Sequence, residues 1–355
     1  MNHKILAINP GSTSTKIALY DNEREVFCKT LEHPAEEIEK YDNVQDQFNM
    51  RKQVVLTFLE ENGYDVNELD GIVGRGGMLP SVKSGAYRVN KIMVDRLKDN
   101  PVVEHASNLG ALIAYEIANS IGKDAYIYDS VRVDEMKDIA RISGMPDIVR
   151  TSSSHALNSR AMAFKAAKKY GKKYSEMTFV VVHLGGGISL SVHERGYMVD
   201  IIADDEGPFS PERAGRVPCK MLIDLCYSGK YDKVTMNKNL RGNGGIKAYL
   251  KTVDTRQVER MINNGDDNAK LVYEAMAYQV AKGIGELATV VEGKVDAIII
   301  TGGIAYSDMF TSWIKKRVEF IAPVEIMPGE NEMESLALGT LRVLRKEEDA
   351  KEYVE

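Results

Sequence analysis

The 355 residues are 44% hydrophobic and 28% charged, and 46 lysines and arginines against 52 aspartates and glutamates leave a formal net charge of −6. That length is too great for one ordinary core and predicts two domains, while the lack of any basic block argues against a nucleic-acid surface. No apolar run approaches the roughly 20 residues that span a bilayer, and Cys28, Cys219 and Cys226 are too few and too irregular for a disulfide framework or a zinc cluster. Met1–Lys4 runs straight into the apolar Ile5–Ile8 without a signal-peptide pattern, so the expected address is a reducing cytoplasm.

Strand-like and helix-like segments alternate, which predicts α/β layers. Lys4–Ile8 reads as a strand, Asn9–Thr15 as turn chemistry and Lys16–Tyr20 as a returning strand, with Val26–Leu31 as a third. Val44–Asn62 has helical spacing and stops at Gly63. The short strand Gly71–Gly74 opens into the glycine-rich loop Arg75–Pro80. A helix over Asn108–Ile121 ends at Gly122 and precedes the strand Ala125–Tyr128. Beyond about residue 150 the pattern restarts. Thr178–Leu184 is strongly apolar, Gly185–Gly187 is a turn, and Ile188–His193 alternates as a strand. Asp267–Glu292 predicts a long helix, packed within its domain or against a partner. The strand Asp296–Ile300 ends in Thr301-Gly-Gly303, and a helix over Glu332–Lys346 precedes a charged tail expected to fray.

The restart is an internal repeat: laying Ile8–Ser14 on Val182–Ile188 superposes Gly11 and Gly185. Two such hairpins opening successive halves predict duplicated domains facing one another across a cleft. Their turn N–H groups converge readily on an anion, because glycine permits close approach. The first adds four hydroxyls, Ser12 and Ser14 among them, with Asn9 before and Lys16 after. Three consecutive glycines, Gly185, Gly186 and Gly187, cost backbone entropy without packing benefit, which favours phosphate contact over a plain hairpin. Gly302 and Gly303 follow a buried strand, where α/β folds place nucleotide contacts or simply a tight turn. No P-loop, G-x-G-x-x-G or protein-kinase set is present.

Arg75 and Arg213 lie in irregular loops, and a guanidinium fork suits carboxylate or phosphate as well as an ordinary salt bridge. Asp129 closes a strand, a position fit for a Mg²⁺-linked carboxylate or for a helix N-cap. For His155 and His183 a hydrogen-bonded structural role is the default reading.

Taken in order, Ile8–Lys16, His155–Asn158, His183–Gly187, Glu206–Arg213 and Thr301–Ile304 resemble the acetate kinase family, of the actin-like superfamily of sugar and acid kinases. The stretch Pro208–Arg213 resembles the members that act on butyrate rather than acetate. The resemblance covers essentially the whole chain and implies two ribonuclease-H-like domains with ATP between them. One would span 1–150 with the C-terminal helix 336–355, the other 151–335. Asn9, Gly11, Ser12, Ser14 and Lys16 match the first phosphate hairpin, and His183 with Gly185–Gly187 the second. Gly302 and Gly303 match the adenosine turn. Arg75 and Arg213 match arginines that contact the acid and the transferring phosphoryl group, and Asp129 with Glu332 an acidic pair associated with Mg²⁺. One departure stands out: the family carries two histidines four residues apart, whereas here Thr151 occupies the first position and only His155 remains. His155 is therefore either structural or the residue that has taken over the phosphoryl contact.

The expected chemistry is phosphoryl transfer between ATP and a short-chain acid, butyrate first, with isobutyrate, propionate or acetate as alternatives. A carboxylate is already ionised near neutral pH and needs no general base. A non-catalytic actin-like ATP-binding protein is the rival from another class. A sugar kinase would need a base where Asn9 stands. At least a homodimer is implied by the resemblance.

Overall fold

Alternation in the first residues produces an antiparallel hairpin in the computed structural model, which describes residues 2–354: β1 (Lys4–Pro10) pairs with β2 (Ser14–Asp21), with Asn9 opposite Lys16 and Pro10 opposite Thr15. β3 (Arg24–Glu32) adds antiparallel to β2, while β4 (Gly71–Gly74) lies parallel to β1. β5 (Ala86–Arg88) runs antiparallel to β6 (Ala125–Tyr128), itself parallel to β4. The second half repeats the plan. β7 (Thr178–Leu184), β8 (Ile188–Glu194) and β9 (Tyr197–Ile202) form an antiparallel meander, and β10 (Ala297–Gly302) and β11 (Val324–Pro328) add in parallel on the other side of β7. A last short strand, β12 (Lys351–Glu352), joins β5.

The two sheets therefore read β3-β2-β1-β4-β6, extended by β5 and β12, and β9-β8-β7-β10-β11. The common order, a three-stranded meander followed by two parallel strands, is the duplication that the repeat of glycine turns predicts. Two compact units carry them: Met1–Asp134 with Asn331–Glu355, and Glu135–Glu330. The divisions fall at 134/135 and 330/331, beside the sequence-based 150/151 and 335/336.

Each central strand is buried on both faces. Ile5, Leu6, Ala7 and Ile8 of β1 and Phe179–Val182 of β7 are fully buried. In the first unit the helix Asn108–Ser120 covers β1, β4 and β6 with Leu109, Ile113 and Ile117. In the second, the helix Asp267–Val290 buries Val272, Met276, Val280, Ile284 and Leu287 at three- and four-residue spacing against β7, β8 and β9. The long helix thus packs on its own unit's sheet. The helix predicted from Val44 begins regularly at Phe48, after a single 3₁₀ turn, and runs to Glu61 ahead of a left-handed Gly63.

The charged tail is a correction. Instead of fraying, it pairs as β12, buries Tyr353 and sets Glu352 2.9 Å from Arg88 Nη1. Glu348 accepts from Tyr128 Oη (2.7 Å) and from Arg342 Nε (3.2 Å), so this acid too has fixed partners.

Candidate active site

In each unit the turn after the first central strand begins on glycine: Gly11 follows β1 and Gly185 follows β7. Both glycine N–H groups bond within the turn, Gly11 to Ser14 O (2.8 Å) and Gly185 to Gly187 O (3.1 Å). Ser12, Thr13 and Lys16 of the first turn are exposed, and the Ser12 and Thr13 N–H groups bond no described residue. The turn's carbonyls point the other way. The fully buried Arg51 donates to Gly11 O and Ser12 O, both at 2.8 Å, and to Ser14 O at 2.9 Å. Arg51 lies in the helix Phe48–Glu61 and went unnoticed in the sequence, where one arginine amid helical spacing carries no signal.

Three of the predicted residues meet in the first unit. Glu332 Oε1 accepts from Arg75 Nη1 and its Oε2 from Asn9 Nδ2, both at 2.7 Å. The other guanidinium N–H groups of Arg75 bond no described residue. Its backbone is pinned by an N–H bond to Ile8 O (2.9 Å) and by two glycines. A Cβ on Gly74 would lie 2.1 Å from Gly110 O, and one on Gly110 would lie 2.8 Å from Arg75 N. Only glycine at both positions lets the helix Asn108–Ser120 close on this loop. Asp129, buried just after β6 with φ +41°, accepts from Gly85 N–H at 2.7 Å. No helix begins after it, so it caps none.

In the second unit His155 and His183 stack, ring centroids 4.0 Å apart and planes inclined by 14°. His155 Nδ1 lies 2.8 Å from Ser189 Oγ, and His183 Nδ1 lies 3.0 Å from Asn158 Oδ1. Because Asn158 donates through Nδ2 to Gly329 O (3.3 Å), its oxygen is the acceptor and His183 Nδ1 carries the proton. His183 Nε2 lies 3.8 Å from Glu330. Gly302, at φ +94°, bonds both ways with Gly329, and a Cβ there would strike Leu184 O at 2.4 Å. Gly303 opens the single 3₁₀ turn that leads to the helix Asp308–Val318.

Arg213 comes against the second turn. Its guanidinium occupies the space that a side chain on Gly187 would fill, Nη1 being 2.3 Å from an ideal Cβ. Arg213 is paired with Asp204, which also meets Arg241 at 3.2 Å. Its Nε is buried with no hydrogen-bond partner among the described residues. The loop beneath is tied down: Ser210 N–H bonds Arg213 O (3.0 Å) and Ser210 Oγ bonds Gly186 O (2.6 Å). Arg150 clamps the preceding segment through Glu206 (3.0 Å), Asp200 (3.2 Å) and Ile201 O. Asp204, Ser210 and Arg150 in loops and Asn158 in the helix Ala156–Lys169 were not anticipated, since ordinary polar residues acquire these roles only by folding.

The family model described as the Acetokinase family matches residues 143–328. Over 353 residues, 99% of both chains, the sequence is 51% identical to butyrate kinase 1 of Clostridium acetobutylicum, and it is 48% identical to butyrate kinase 2 of the same organism over 99% of this chain and 100% of that one. The chain belongs to the acetokinase family. Its fold agrees: an acetate kinase from Porphyromonas gingivalis superposes with a TM-score of 0.78 at 17% identity, covering 96% of this chain and 99% of that one. A propionate kinase from Francisella tularensis gives 0.73 at 18%, with coverages of 95% and 98%.

As a family member the chain is a phosphotransferase of the ATP-using, actin-like class, which raises the question of its metal. Among the described residues no three histidines, cysteines or acids cluster as a metal cage. Asp129 and Glu332 are hard oxygen donors that already accept hydrogen bonds. Such a donor set suits Mg²⁺ that keeps its waters and is carried chiefly by nucleotide phosphates.

Proposed function

We propose that the protein transfers a phosphoryl group between ATP and butyrate, giving butanoyl phosphate and ADP, with the ATP-forming direction open to it. The substrate assignment is carried by the 51% identity to butyrate kinase 1 across 99% of the chain. The acid arrives as a carboxylate, so its oxygen attacks without a general base, and the candidate residues need only position and stabilise. The N–H groups that Arg75 does not spend on Glu332 orient the carboxylate. Arg213, laid against the second glycine turn with an unpartnered Nε, offsets charge on the phosphoryl group in flight. Asn9, Gly11, Ser12, Ser14 and Lys16 in one hairpin and His183 with Gly185–Gly187 in the other bind phosphates, and Gly302 and Gly303 the adenosine. His155 holds His183 by stacking and touches the phosphoryl group only through it.

Asp129 and Glu332 would hold Mg²⁺, which when bound would offset the charge of the nucleotide phosphates. We place the reaction in the cytoplasm, where the three free, exposed cysteines stay reduced. No described helix is long and apolar enough to cross a membrane. A homodimer is proposed on the strength of exposed Ile139, Ile142, Met145 and Val149 in the second unit.

Initial rates of ADP formation with acetate, propionate, butyrate and isobutyrate test the reading. Each methylene is worth about 1–3 kcal/mol of discrimination, so kcat/KM for butyrate should exceed that for acetate by roughly ten-fold or more. A maximum at acetate would reassign the substrate, and nucleotide binding without acid-dependent turnover would remove the activity altogether.

A further inference from the structure

Arg51 heads the fully buried side chains by volume, yet among the described residues it bonds no acid. A buried guanidinium ordinarily answers to a carboxylate, because an unpaired ion loses its hydration at heavy cost. Here its acceptors are neutral: the carbonyls of Gly11, Ser12 and Ser14, Thr15 Oγ1 at 3.2 Å, and Gln47 Oε1 at 2.9 Å from Nη2 and 3.1 Å from Nε. All five N–H donors of the fork are thereby engaged, and its charge meets dipoles only. His33, which shares Thr15 Oγ1 at 2.8 Å, brings no compensating anion, being held neutral by burial and by Arg51 itself.

The geometry has a direct consequence for the turn. In a trans peptide the carbonyl of one residue and the N–H of the next point to opposite sides. Drawing the Gly11 and Ser12 carbonyls inward turns the Ser12 and Thr13 N–H groups outward, and these are the exposed donors that bond no described residue. Two outward N–H groups backed by an uncompensated positive charge form an anion seat.

We propose that Arg51 is a positioning residue for the first phosphate hairpin: it fixes three turn carbonyls inward, presents the Ser12 and Thr13 N–H groups to a phosphate, and leaves its positive charge behind them. The inference rests on reading Asn9–Lys16 as a phosphate hairpin.

The test is calorimetric binding of adenosine, ADP and ATP to the full chain carrying Arg51→Met, Arg51→Lys or Ser12→Asp. A positioning role makes the loss grow with phosphate number. In Arg51→Met, ATP should weaken on the order of ten-fold or more and ADP less, with adenosine within about two-fold of the parent. Arg51→Lys keeps the charge but not the fork and should fall between. Equal losses for adenosine and ATP, or no loss for either, would overturn the proposal. Should Arg51→Met fail to fold by circular dichroism, Arg51→Lys decides alone by the same ratio. Ser12→Asp separates the two levels. If it leaves ATP affinity unchanged, the phosphate-hairpin reading fails. If it weakens ATP selectively while the Arg51 variants do not, only the Arg51 proposal fails.

Discussion

The two glycine turns occupy the same place in two sheets of the same strand order, and each has an arginine of its own, used in opposite ways. Arg51 sits behind the first turn, fully buried, with every donor spent on holding backbone. Arg213 lies against the second turn with one edge on Asp204 and its Nε unspent. The duplicated fold supplies two equivalent backbone cradles, and the cation decides what each one is for. A guanidinium whose hydrogen bonds are filled shapes a loop, while one with donors to spare has the chemistry for the ligand contact proposed for Arg213.

Removing the spare-donor arginine should therefore cost the most. Arg213→Ala is expected to lower kcat by about 10³-fold or more, as for arginines that stabilise a transferring phosphoryl group, with the thermal midpoint little changed. Arg75→Ala should act chiefly on the KM for the acid, since the role proposed for it is orientation. Steady-state kinetics in both substrates separate the two, and near-normal turnover in both variants would overturn the assigned roles.

A subtler break leaves the arginine in place and moves it. A methyl on Gly187 would invade the Arg213 guanidinium, whereas one on Gly186 meets nothing nearer than Glu212 Oε1 at 3.7 Å. Displacement of a catalytic group by about 1 Å costs on the order of 10²-fold. Gly187→Ala should show such a loss in kcat, whereas Gly186→Ala, which leaves Arg213 in place, should show a clearly smaller one. Equal behaviour of the two would mean that Arg213 is not placed by this turn.

Legibility in the sequence followed the same division. The central strands and both turns could be read because an apolar run interrupted by glycine is a local signal. Arg75 and Arg213 stood out because loops are where an arginine is unexpected. Arg51 was invisible for the converse reason: within a helix an arginine is ordinary, and only the packing of Phe48–Glu61 carries it beneath a turn about 40 residues earlier in the chain. Glu332 was read as an acid for a metal, yet its bonds to Arg75 and Asn9 span sequence separations of 257 and 323, which no local pattern encodes. The tail was misjudged because charge composition suggests solvation, while Tyr353 and strand pairing anchor it.

Gly110 in the helix Asn108–Ser120 and Gly283 in the helix Asp267–Val290 both face the sheet their helix covers, and the two should respond differently. A Cβ at Gly110 would meet backbone, Arg75 N at 2.8 Å and O at 2.9 Å, which cannot yield cheaply. At Gly283 the nearest atom is the side-chain Cδ2 of Leu190 at 3.0 Å, which can rotate away. Gly110→Ala is expected to cost roughly 1–3 kcal/mol by overpacking and to disturb Arg75 with it. Gly283→Ala gains helix propensity of about 1 kcal/mol against its contact and should come out near neutral. Urea unfolding measures both, and a loss at Gly283 matching that at Gly110 would remove the distinction.

The last comparison concerns the two buried histidines that brace the hairpins. Burial, with the Arg51 charge adding to it, pushes His33 down to about 4, and burial with Arg160 pushes His193, bonded to Ser191 Oγ and Tyr174 Oη, down to about 3. Both start from 6.5, so on acidification the unfolded chain takes up protons that the folded chain refuses. Stability therefore falls as pH drops below 6.5, with both histidines contributing down to about 4 and His193 alone continuing to about 3. His33→Gln should reduce the slope of the urea midpoint between pH 6.5 and 4 without altering it below, whereas His193→Gln should flatten both windows. An unchanged slope in His33→Gln would mean that this histidine titrates alike in the folded and unfolded chain, so that neither its burial nor the Arg51 charge beside it disfavours its protonation.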